Sequence, residues 1–364
     1  MKITVPTIDF GTSKIVTMVA QSNGERCDIV GSGAVPYSGY LQDGWNNPDE
    51  IRDVIRTAID QAQKTGNCRI HELNVGVPGM FTRVIVKEVH VSLTGPDPHV
   101  TAQDVRACFK LAEESGGDRI IHSAPAWFRV DDGKKTLSPV GIKGRELSAM
   151  IALVTADKYF IDDITYRLRD MDIEPREFYS TVAGEATYAL SQDERDKTAM
   201  LIDIGYLCTD VMVMEGDALI FHKCLDIGGG HISADIAEQL NIPFPFVEEK
   251  IKQTYSFNST NQDETYVIPA TEDEPARTVR RDEVTPIIEA KVEEIAEAIN
   301  KALEEGGVKL GKWSNVYLTG GGLILNKGGK DFLAGKLHRI IREAQRTNNK
   351  MTSHVFSSAV GLTI

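Results

Sequence analysis

The sequence predicts an α/β fold in which two related lobes are each built around a strand–turn–strand hairpin. Its 364 residues exceed what one ordinary core holds, so two domains or one large segmented domain is expected. The pattern IDFGTSK followed by apolar IVTMVA begins at Ile8, and the pattern IDIG running into apolar VMVM begins at Ile202. Helical and strand-like segments alternate between and after these two copies, which completes the α/β pattern.

The segment after the first hairpin predicts a helix and a strand. Apolar residues recur at helical spacing in NPDEIRDVIRTAIDQAQKTG, with Asn47 as N-cap, Pro48 in the first turn and Gly66 as the stop. The apolar LNVGVPGM that follows is strand-like.

A small α+β insertion is predicted next. Its strands are TRVIVKEVHVSL, DRIIHSAPAWFRV and LSAMIALVTA, and its helix is TAQDVRACFKLAEE, capped by Thr101. Helices over YFIDDITYRLRDM and VAGEATYALSQ lead back to the second hairpin.

Beyond the second hairpin, GGGHISADIAEQLNIP predicts a helix with a glycine-rich entry, and VEEKIKQTY predicts another. The polar FNSTNQDETYVIPATEDEPARTVRR predicts a surface loop or hairpin. The long amphipathic helix TPIIEAKVEEIAEAINKALEEGG then precedes the strand NVYLTGGG, and HVFSSAVGLTI predicts a strand followed by the start of a helix.

Composition and charge exclude several classes of protein. The chain is 41% hydrophobic and 26% charged, as in soluble globular proteins, and its formal net charge is -13. This charge argues against nonspecific nucleic-acid binding, which needs clustered Lys and Arg, and it favours basic partner surfaces. Because MKITVPTIDF enters a strand directly, no signal peptide is expected. No apolar run approaches the ~20 residues of a membrane helix.

The five cysteines predict reduced thiols rather than a disulfide framework or a metal site. They are scattered, odd in number and never in CxxC spacing, which is typical of a cytosolic protein. They are Cys27, Cys68, Cys108, Cys208 and Cys224.

The order of motifs resembles the actin, Hsp70 and sugar-kinase superfamily, and within it the FtsA family of bacterial cell-division proteins. The motifs are IDFGTSK, AIDQAQ with the following VGVPG, IDIG with CTDV, GGGHISADIAEQL, VEEKIK, YLTGGG and the terminal SSAVGL, and they span nearly the whole chain. The resemblance implies an actin-like (ribonuclease H-like) two-lobe ATPase fold with four subdomains, an FtsA-type inserted α+β subdomain, and a nucleotide in the cleft between the lobes.

The resemblance also implies subdomain boundaries. They are 1–82 for the first part of the first lobe core (IA), 83–159 for the inserted subdomain (1C-like), 160–200 for the rest of that core, 201–237 for the first part of the second lobe core (IIA), 238–303 for its small subdomain (IIB), 304–340 for the rest of that core, and 341–364 for the return to the first lobe.

ATP and Mg²⁺ are the cofactors expected. Asp9 and Asp203 end strands where a carboxylate can hold hydrated Mg²⁺ through water, although either can instead be a turn-forming Asp. Gly11, Thr12 and Ser13 offer amide and hydroxyl donors to phosphate oxygens.

Several further residues have both a functional and a plainer interpretation. Lys14 supplies a positive charge to the phosphates or is a solvated surface lysine. Glu185, which stands where Hsp70-like and MreB-like relatives have a water-positioning Glu, is a candidate catalytic residue with Asp203, or else an exposed helix-start Glu favoured by the helix dipole. Gly205 and Thr209 maintain the second hairpin at the phosphates.

The remaining candidates would hold the phosphates and the adenosine. Gly228 and Gly229 would allow the backbone at a helix N-terminus to come close to a phosphate. Glu249 and Lys252, at i and i+3, resemble the pair that contacts ribose and base, or form a plain surface ion pair. The run Gly320, Gly321 and Gly322 leaves room for adenosine on the backbone.

The second hairpin departs from the family at Tyr206 and Leu207, where Gly-Gly is common. A Cβ there restricts the backbone and fills volume near the terminal phosphate, so ATP should bind but turn over slowly or not at all. The alternative is that both side chains point away and change nothing.

The resemblance therefore implies a self-assembling scaffold or filament of cell division, in the cytoplasm and recruited to the septum at the inner face of the membrane. It would bind the FtsZ C-terminal tail and other division proteins, with no nucleic acid. Relatives continue into an amphipathic helix where this sequence stops at Ile364, so the sequence as given is expected to carry no direct membrane anchor. Either it is part of a longer protein, or other proteins recruit it to the membrane. Two alternatives remain: a PilM-type pilus-assembly adaptor, and a small-molecule kinase, for which no separate catalytic base stands out.

Overall fold

The computed structural model describes residues 3–22, 27–41, 44–117, 119–261, 263–270, 275–311, 314–344 and 357–362. The chain divides into two compact units. The first contains Met1–Leu201, Met212–Lys223 and the described part of Gln345–Ile364, and the second contains Ile202–Val211 and Cys224–Ala344. No helix in these described ranges is both long and apolar enough to cross a membrane.

Up to residue 198, the described part of the chain forms ten strands, five α-helices and a 3-10 turn over Gly79–Phe81. The strands and α-helices are β1 (Ile3–Phe10), β2 (Lys14–Ser22), β3 (Cys27–Pro36), β4 (Tyr40–Leu41), β5 (Gly44–Trp45), α1 (Ile51–Gly66), β6 (Glu72–Val77), β7 (Thr82–Ser92), α2 (Ala102–Glu114), β8 (Ile120–Val130), β9 (Glu146–Ala156), α3 (Lys158–Arg169), β10 (Glu174–Ser180), α4 (Thr181–Ala189) and α5 (Gln192–Arg195).

The main sheet of the first unit has the strand order β10-β6-β1-β2-β3. The predicted first hairpin is confirmed, because β1 and β2 pair in antiparallel register with Asp9 opposite Val16. Strands β6 and β10 extend the sheet in parallel with β1. The carboxyl end of β1 and the turn that follows it therefore lie at the same edge of the sheet as the carboxyl ends of β6 and β10.

Helix α1 packs against β3 at two glycines. A Cβ on Gly31 would lie 2.6 Å from the carbonyl oxygen of Ala62 in α1. A Cβ on Gly33 would lie 2.9 Å from the amide nitrogen of the same Ala62. The prediction of Asn47 as N-cap is wrong: the helix begins after Glu50, because the residues following Asn47 form a turn of their own. Gly66 is its last helical residue, and the left-handed Asn67 ends it.

The predicted α+β insertion forms a three-stranded antiparallel sheet in the order β7-β9-β8, with α2 packed on it. The predicted cap of α2 is confirmed, since Thr101 Oγ1 accepts the Asp104 N–H and Asp104 accepts the Thr101 N–H at 2.8 Å. Cys108 of α2 is buried in the core of this insertion.

The chain from residue 199 onward supplies the second five-stranded sheet, in the order β13-β12-β11-β16-β17. Its elements are β11 (Ala199–Ile204), β12 (Thr209–Glu215), β13 (Ala218–Leu225), α6 (Gly229–Gln239), α7 (Phe244–Phe246), the π-helical turn Val247–Lys252, β14 (Thr265–Ile268), β15 (Arg277–Arg280), α8 (Arg281–Glu305), β16 (Asn315–Thr319), α9 (Gly329–Leu337), β17 (Ile341–Glu343) and α10 (Ser357–Gly361).

The second hairpin is also confirmed as β11 and β12, and the polar segment forms the β14–β15 hairpin. The long helix α8 starts at Arg281, four residues before the predicted Thr285. The buried Arg281 guanidinium explains this early start, because it donates to the carboxylate of Glu264 at 2.9 Å and to the carbonyl of Ser256 at 2.6 Å. The strand predicted within residues 354–356 lies outside the described residues.

Candidate functional site

The first loop is a tight turn between β1 and β2. The Gly11 amide donates to the carbonyl of Lys14 at 3.0 Å, and a Cβ on Gly11 would meet that same oxygen at 3.0 Å. Thr12 is buried, while Ser13 and Lys14 are half-buried. The predicted donors Gly11 to Ser13 and the Lys14 cation therefore share one turn.

Asp9, the penultimate residue of β1, carries a buried carboxylate, with 6% of its surface exposed. Burial raises the pKa of the Asp9 carboxyl, and a hydrogen bond from Ser358 together with the positive charge of Lys14 partly opposes that rise. The Ser358 hydroxyl donates to Asp9 Oδ2 at 2.7 Å. A buried carboxylate favours a nearby cation or its bound water, so Asp9 fits a water-mediated contact to Mg²⁺.

Ser358 is a site residue that the sequence interpretation missed. The motif SSAVGL served there as a family marker, and no partner was assigned to it. Nothing local to the motif indicates Asp9, because 349 positions separate the two residues in the sequence. The one signal in the sequence that could have pointed to Ser358 was its position in the family motif SSAVGL.

Glu185 lies inside α4 and is buried, with 2% of its surface exposed. Its interpretation as an exposed helix-start residue is therefore wrong: α4 begins at Thr181, and its inner face packs on α10. A Cβ on Gly361 of α10 would come 2.6 Å from the Glu185 amide nitrogen. Helix α10 thus contacts both Asp9, through Ser358, and the backbone that carries Glu185.

The second loop closes across Tyr206 and Leu207. The Gly205 amide donates to the Cys208 carbonyl at 2.9 Å. Thr209 is fully buried, and its hydroxyl donates to the Ile227 carbonyl at 2.7 Å. Side-chain volume at Tyr206 and Leu207 does not prevent the tight turn.

The first amides of α6 donate to acceptors of the protein itself. Gly228 is the residue before the helix, and its amide donates to His231 Nδ1 at 3.0 Å. The Gly229 amide donates to the Gly205 carbonyl at 2.9 Å, and the Gly230 amide to the Tyr206 carbonyl at 2.7 Å. The second loop therefore occupies donors that a helix N-terminus can otherwise present to a phosphate.

The glycines after β16 interlock with the second loop. Gly320 has φ +88, and a Cβ there would lie 2.7 Å from the Ile204 carbonyl carbon and closer still to Asp203 Oδ1. The Gly322 amide donates to the Ile204 carbonyl at 2.7 Å. Gly321, between them, is half-buried. Any side chain at Gly320 or Gly322 would push β16 away from the hairpin.

Tyr206 points toward residues predicted to hold the nucleotide. A Cβ on Gly230 would lie 3.0 Å from the Tyr206 ring, and Lys252 Nζ lies 5.9 Å from the ring centroid. Burial, and then the charge of Glu248, raise the pKa of the Tyr206 hydroxyl. The Tyr206 side chain therefore lies against the start of α6 and near Lys252.

Lys252 pairs with Glu248 rather than with Glu249. Lys252 is buried, its Nζ lies 3.1 Å from Glu248 Oε1, and the Ser233 hydroxyl donates to the same carboxylate. Glu249 is exposed. The predicted i, i+3 face is wrong because residues 247–252 form a π-helical turn, which changes the spacing of side chains around the axis.

Burial lowers the pKa of the Lys252 ammonium, and Glu248 opposes that change. The Asn326 amide group donates to the Lys252 carbonyl at 2.6 Å, so side chain and backbone are both held.

Two of the cysteines, which are separated in the sequence, lie close together in the structure. The side-chain ligand atoms of Cys208, Asp210 and Cys224 all lie within 4.8 Å of one another. Hydrogen bonding with Cys208, burial and the charge of Asp210 raise the pKa of the Cys224 thiol well above its ordinary value. The four cysteines whose side chains are described form no disulfide.

Comparison with known protein families gives two matches. The family model described as "Cell division protein FtsA" matches residues 200–361, and "SHS2 domain inserted in FTSA" matches residues 79–155. Among curated relatives, the chain is similar to the cell division protein FtsA of Pseudomonas aeruginosa, with 26% identity over 86% of this chain and 76% of that protein. For FtsA of Bacillus subtilis the identity is 26%, over 83% and 70% of the two chains.

Solved structures show the same fold at low sequence identity. A chain of the PilM-PilN type IV pilus biogenesis complex has a TM-score of 0.65 and 17% identity, covering 99% of this chain and 98% of that one. MreB5 of Spiroplasma citri bound to AMPPNP has a TM-score of 0.58 and 11% identity, covering 99% and 94%. These likenesses concern the actin-like architecture, with mixed sheets and the inserted domain.

Proposed function

Because this chain belongs to the FtsA family of cell-division proteins and has its actin-like fold, we propose that it is an ATP-binding scaffold that hydrolyses ATP slowly or not at all. It acts at the division site, on the cytoplasmic face of the membrane, as a filament and as an adaptor. Its partners are other division proteins, among them the C-terminal tail of FtsZ. The first observation in support is the set of interlocked glycine loops in the second unit.

ATP binding is supported by close backbone approaches that only glycine permits. Gly229 and Gly322 approach so closely that a Cβ on Gly229 would lie 2.8 Å from the Gly322 carbonyl carbon. Such packing brings α6, the second loop and the turn after β16 into one layer of bare backbone, to which a flat purine and its ribose can bind. Lys252, with its neighbour Tyr206, borders this layer.

Magnesium is the metal expected with the nucleotide. Asp9 and Asp203 are the carboxylates proposed to contact it through water. Mg²⁺ supplies charge neutralisation of the phosphates when bound. Asp9 contributes a buried acceptor whose orientation is fixed by Ser358.

Slow hydrolysis is proposed from the second loop, because the Tyr206 ring lies at the start of α6, 3.0 Å from where a Cβ on Gly230 would be, and fills volume beside the expected terminal phosphate. Hydrolysis needs an attacking water and donors placed to within about 1 Å. The amides of Gly229 and Gly230 instead donate to the carbonyls of Gly205 and Tyr206. Losing one well-placed donor costs on the order of 10²-fold in rate. Glu185 is proposed to position the attacking water. It would therefore affect hydrolysis, whereas ATP binding would not depend on it.

The FtsZ tail is proposed to bind within residues 238–303. Acidic residues outnumber basic ones in this segment, which favours basic residues in the peptide. Val267 of β14 is 64% exposed and Phe244 is 37% exposed, so two large apolar side chains are available to a partner. Burial of such a side chain contributes about 1.5–3 kcal/mol.

A fluorescence anisotropy titration with the labelled C-terminal peptide of the same organism's FtsZ tests this proposal. We expect saturable binding that weakens at high salt and falls about tenfold in Val267→Ser. Leu325→Ser is the matched control, because Leu325 is 62% exposed in the same unit but lies outside the segment. No binding at millimolar protein, or equal loss in both variants, contradicts the assignment.

Self-association is tested by sedimentation and negative-stain microscopy with and without ATP. The family assignment and the inserted domain predict filaments when nucleotide is bound. A strict monomer at high concentration in every nucleotide state would count against a scaffold.

A further inference from the structure

Three metal-binding side chains converge beside the second loop. Cys208 immediately precedes β12, Asp210 is the second residue of β12, and Cys224 is the penultimate residue of β13, the neighbouring strand. Side chains two residues apart on a strand share a face, so Cys208 and Asp210 point the same way. Their ligand atoms and the Cys224 Sγ all lie within 4.8 Å of one another.

The backbone that carries this cluster is held in place. Thr209, between the two ligands of β12, is fully buried, and its hydroxyl donates to the Ile227 carbonyl at 2.7 Å. The Cys208 carbonyl accepts the Gly205 amide at 2.9 Å. The ligands therefore need only side-chain rotation to close around an ion.

The burial of the cluster suits a metal that retains one water. Cys208 is buried, whereas Asp210 and Cys224 are half-buried. The Cys208 sulfur is thus shielded from solvent, and the partial exposure of Asp210 and Cys224 gives an ion and a water access to the cluster.

Two thiolates and one carboxylate select the kind of metal. Hard ions such as Mg²⁺ and Ca²⁺ prefer all-oxygen sites, whereas thiolates favour Zn²⁺. Zinc binds sulfur at about 2.3 Å and carboxylate oxygen at about 2.0–2.2 Å in tetrahedral geometry. Such bonds bring the ligand atoms to separations of about 3.5–3.8 Å, a contraction of about 1 Å from the upper limit seen here.

We propose that Cys208, Asp210 and Cys224 bind one Zn²⁺, with water as the fourth ligand. Binding leaves both cysteines as thiolates, and their two protons pass to solvent. The ion joins β12 to β13 directly behind the turn of residues 205–208, so it stiffens the second loop. None of these three ligands is one of the carboxylates proposed for Mg²⁺.

The test uses the purified full chain, kept reduced, with Zn²⁺ alone as the probe. Equilibrium dialysis with elemental analysis gives the stoichiometry, and competition with a chromogenic chelator gives the affinity. Cobalt substitution then reports the ligands, because thiolate coordination produces a charge-transfer absorption. The variants are Cys208→Ser, Cys224→Ser and Asp210→Asn, and Cys68→Ser is the control because Cys68 is a half-buried thiol outside the cluster.

We expect one Zn²⁺ per chain in the unmodified protein and in Cys68→Ser. Each cysteine variant should lose at least tenfold in affinity together with its share of the charge-transfer absorption, and Asp210→Asn should lose affinity but keep that absorption. In the unmodified chain, Zn²⁺ should protect Cys208 and Cys224, but not Cys68, from alkylation mapped by mass spectrometry, a readout that needs no variant.

Three results would overturn the proposal. They are no stoichiometric uptake, uptake that the cysteine variants leave unchanged, and a Cys208–Cys224 disulfide that forms readily and takes no Zn²⁺ after reduction. None of these measurements involves nucleotide. A negative result would therefore overturn zinc binding without contradicting the proposed ATP binding.

Discussion

Gly229→Ala should loosen the layer of loops on which ATP binding is proposed to depend. The added methyl would lie 2.8 Å from the Gly322 carbonyl carbon and closer still to its Cα, so backbone must shift. Overpacking of this kind costs about 1–3 kcal/mol. Distortion of the hydrogen bond from Gly229 to the Gly205 carbonyl adds about 1 kcal/mol. The better helix propensity of Ala offsets at most about 1 kcal/mol.

We therefore expect a net loss of about 1–3 kcal/mol in the free energy of unfolding, measured by urea denaturation, and weaker ATP binding by calorimetry. Gly335→Ala is the matched control, since Gly335 lies in α9 with nothing within 4 Å of its added methyl. That variant should be stabilised by up to about 1 kcal/mol, with unchanged ATP affinity. Equal stability of the Gly229→Ala and unmodified proteins, with equal ATP affinity, would refute the reasoning.

Two further predictions concern single side chains. Ser358→Ala removes a hydrogen bond to the Asp9 carboxylate, of a type worth about 1.5–3 kcal/mol, so Mg²⁺-dependent ATP affinity should fall about tenfold by calorimetry. Ser123→Ala, whose hydroxyl bonds to the exposed Glu113, should not change it. Burial raises the pKa of the Cys108 thiol from 9.0 to about 11. As the pH rises between these two values, the thiol ionises in the unfolded chain before it does in the folded protein, so the free energy of unfolding decreases. Urea denaturation should show about 2 kcal/mol of that loss between about pH 8 and about pH 10.5, and Cys108→Ala should lack it; identical pH profiles would contradict this.

Local patterns predicted much of the fold. Both hairpins, the cap of α2 and the glycine-rich start of α6 depend on residues adjacent in sequence, so periodicity and turn chemistry were sufficient. The strand β10 was missed because EPREFYS has a proline and little apolar alternation. It forms by pairing with β6, a contact that propensity alone does not encode.

Side-chain partners in the candidate site were harder to predict. The bond between Ser358 and Asp9 joins the two ends of the chain. The π-helical turn moves the predicted partner Glu249 away from Lys252, which pairs with Glu248 instead. The convergence of Cys208 with Cys224 depends on how β12 and β13 align. Sequence spacing identified the residue types at the loops, but tertiary packing decided which of them meet.

The central claim is that this chain binds ATP at a site where turnover is slow. Its direct test is ATP calorimetry beside phosphate release, on the unmodified protein and on a Tyr206→Gly, Leu207→Gly double variant. We predict Mg²⁺-dependent ATP binding in both, very slow phosphate release from the unmodified protein, and faster release, by as much as about 10²-fold, from the double variant. Rapid turnover by the unmodified protein, or no measurable ATP binding, would contradict it.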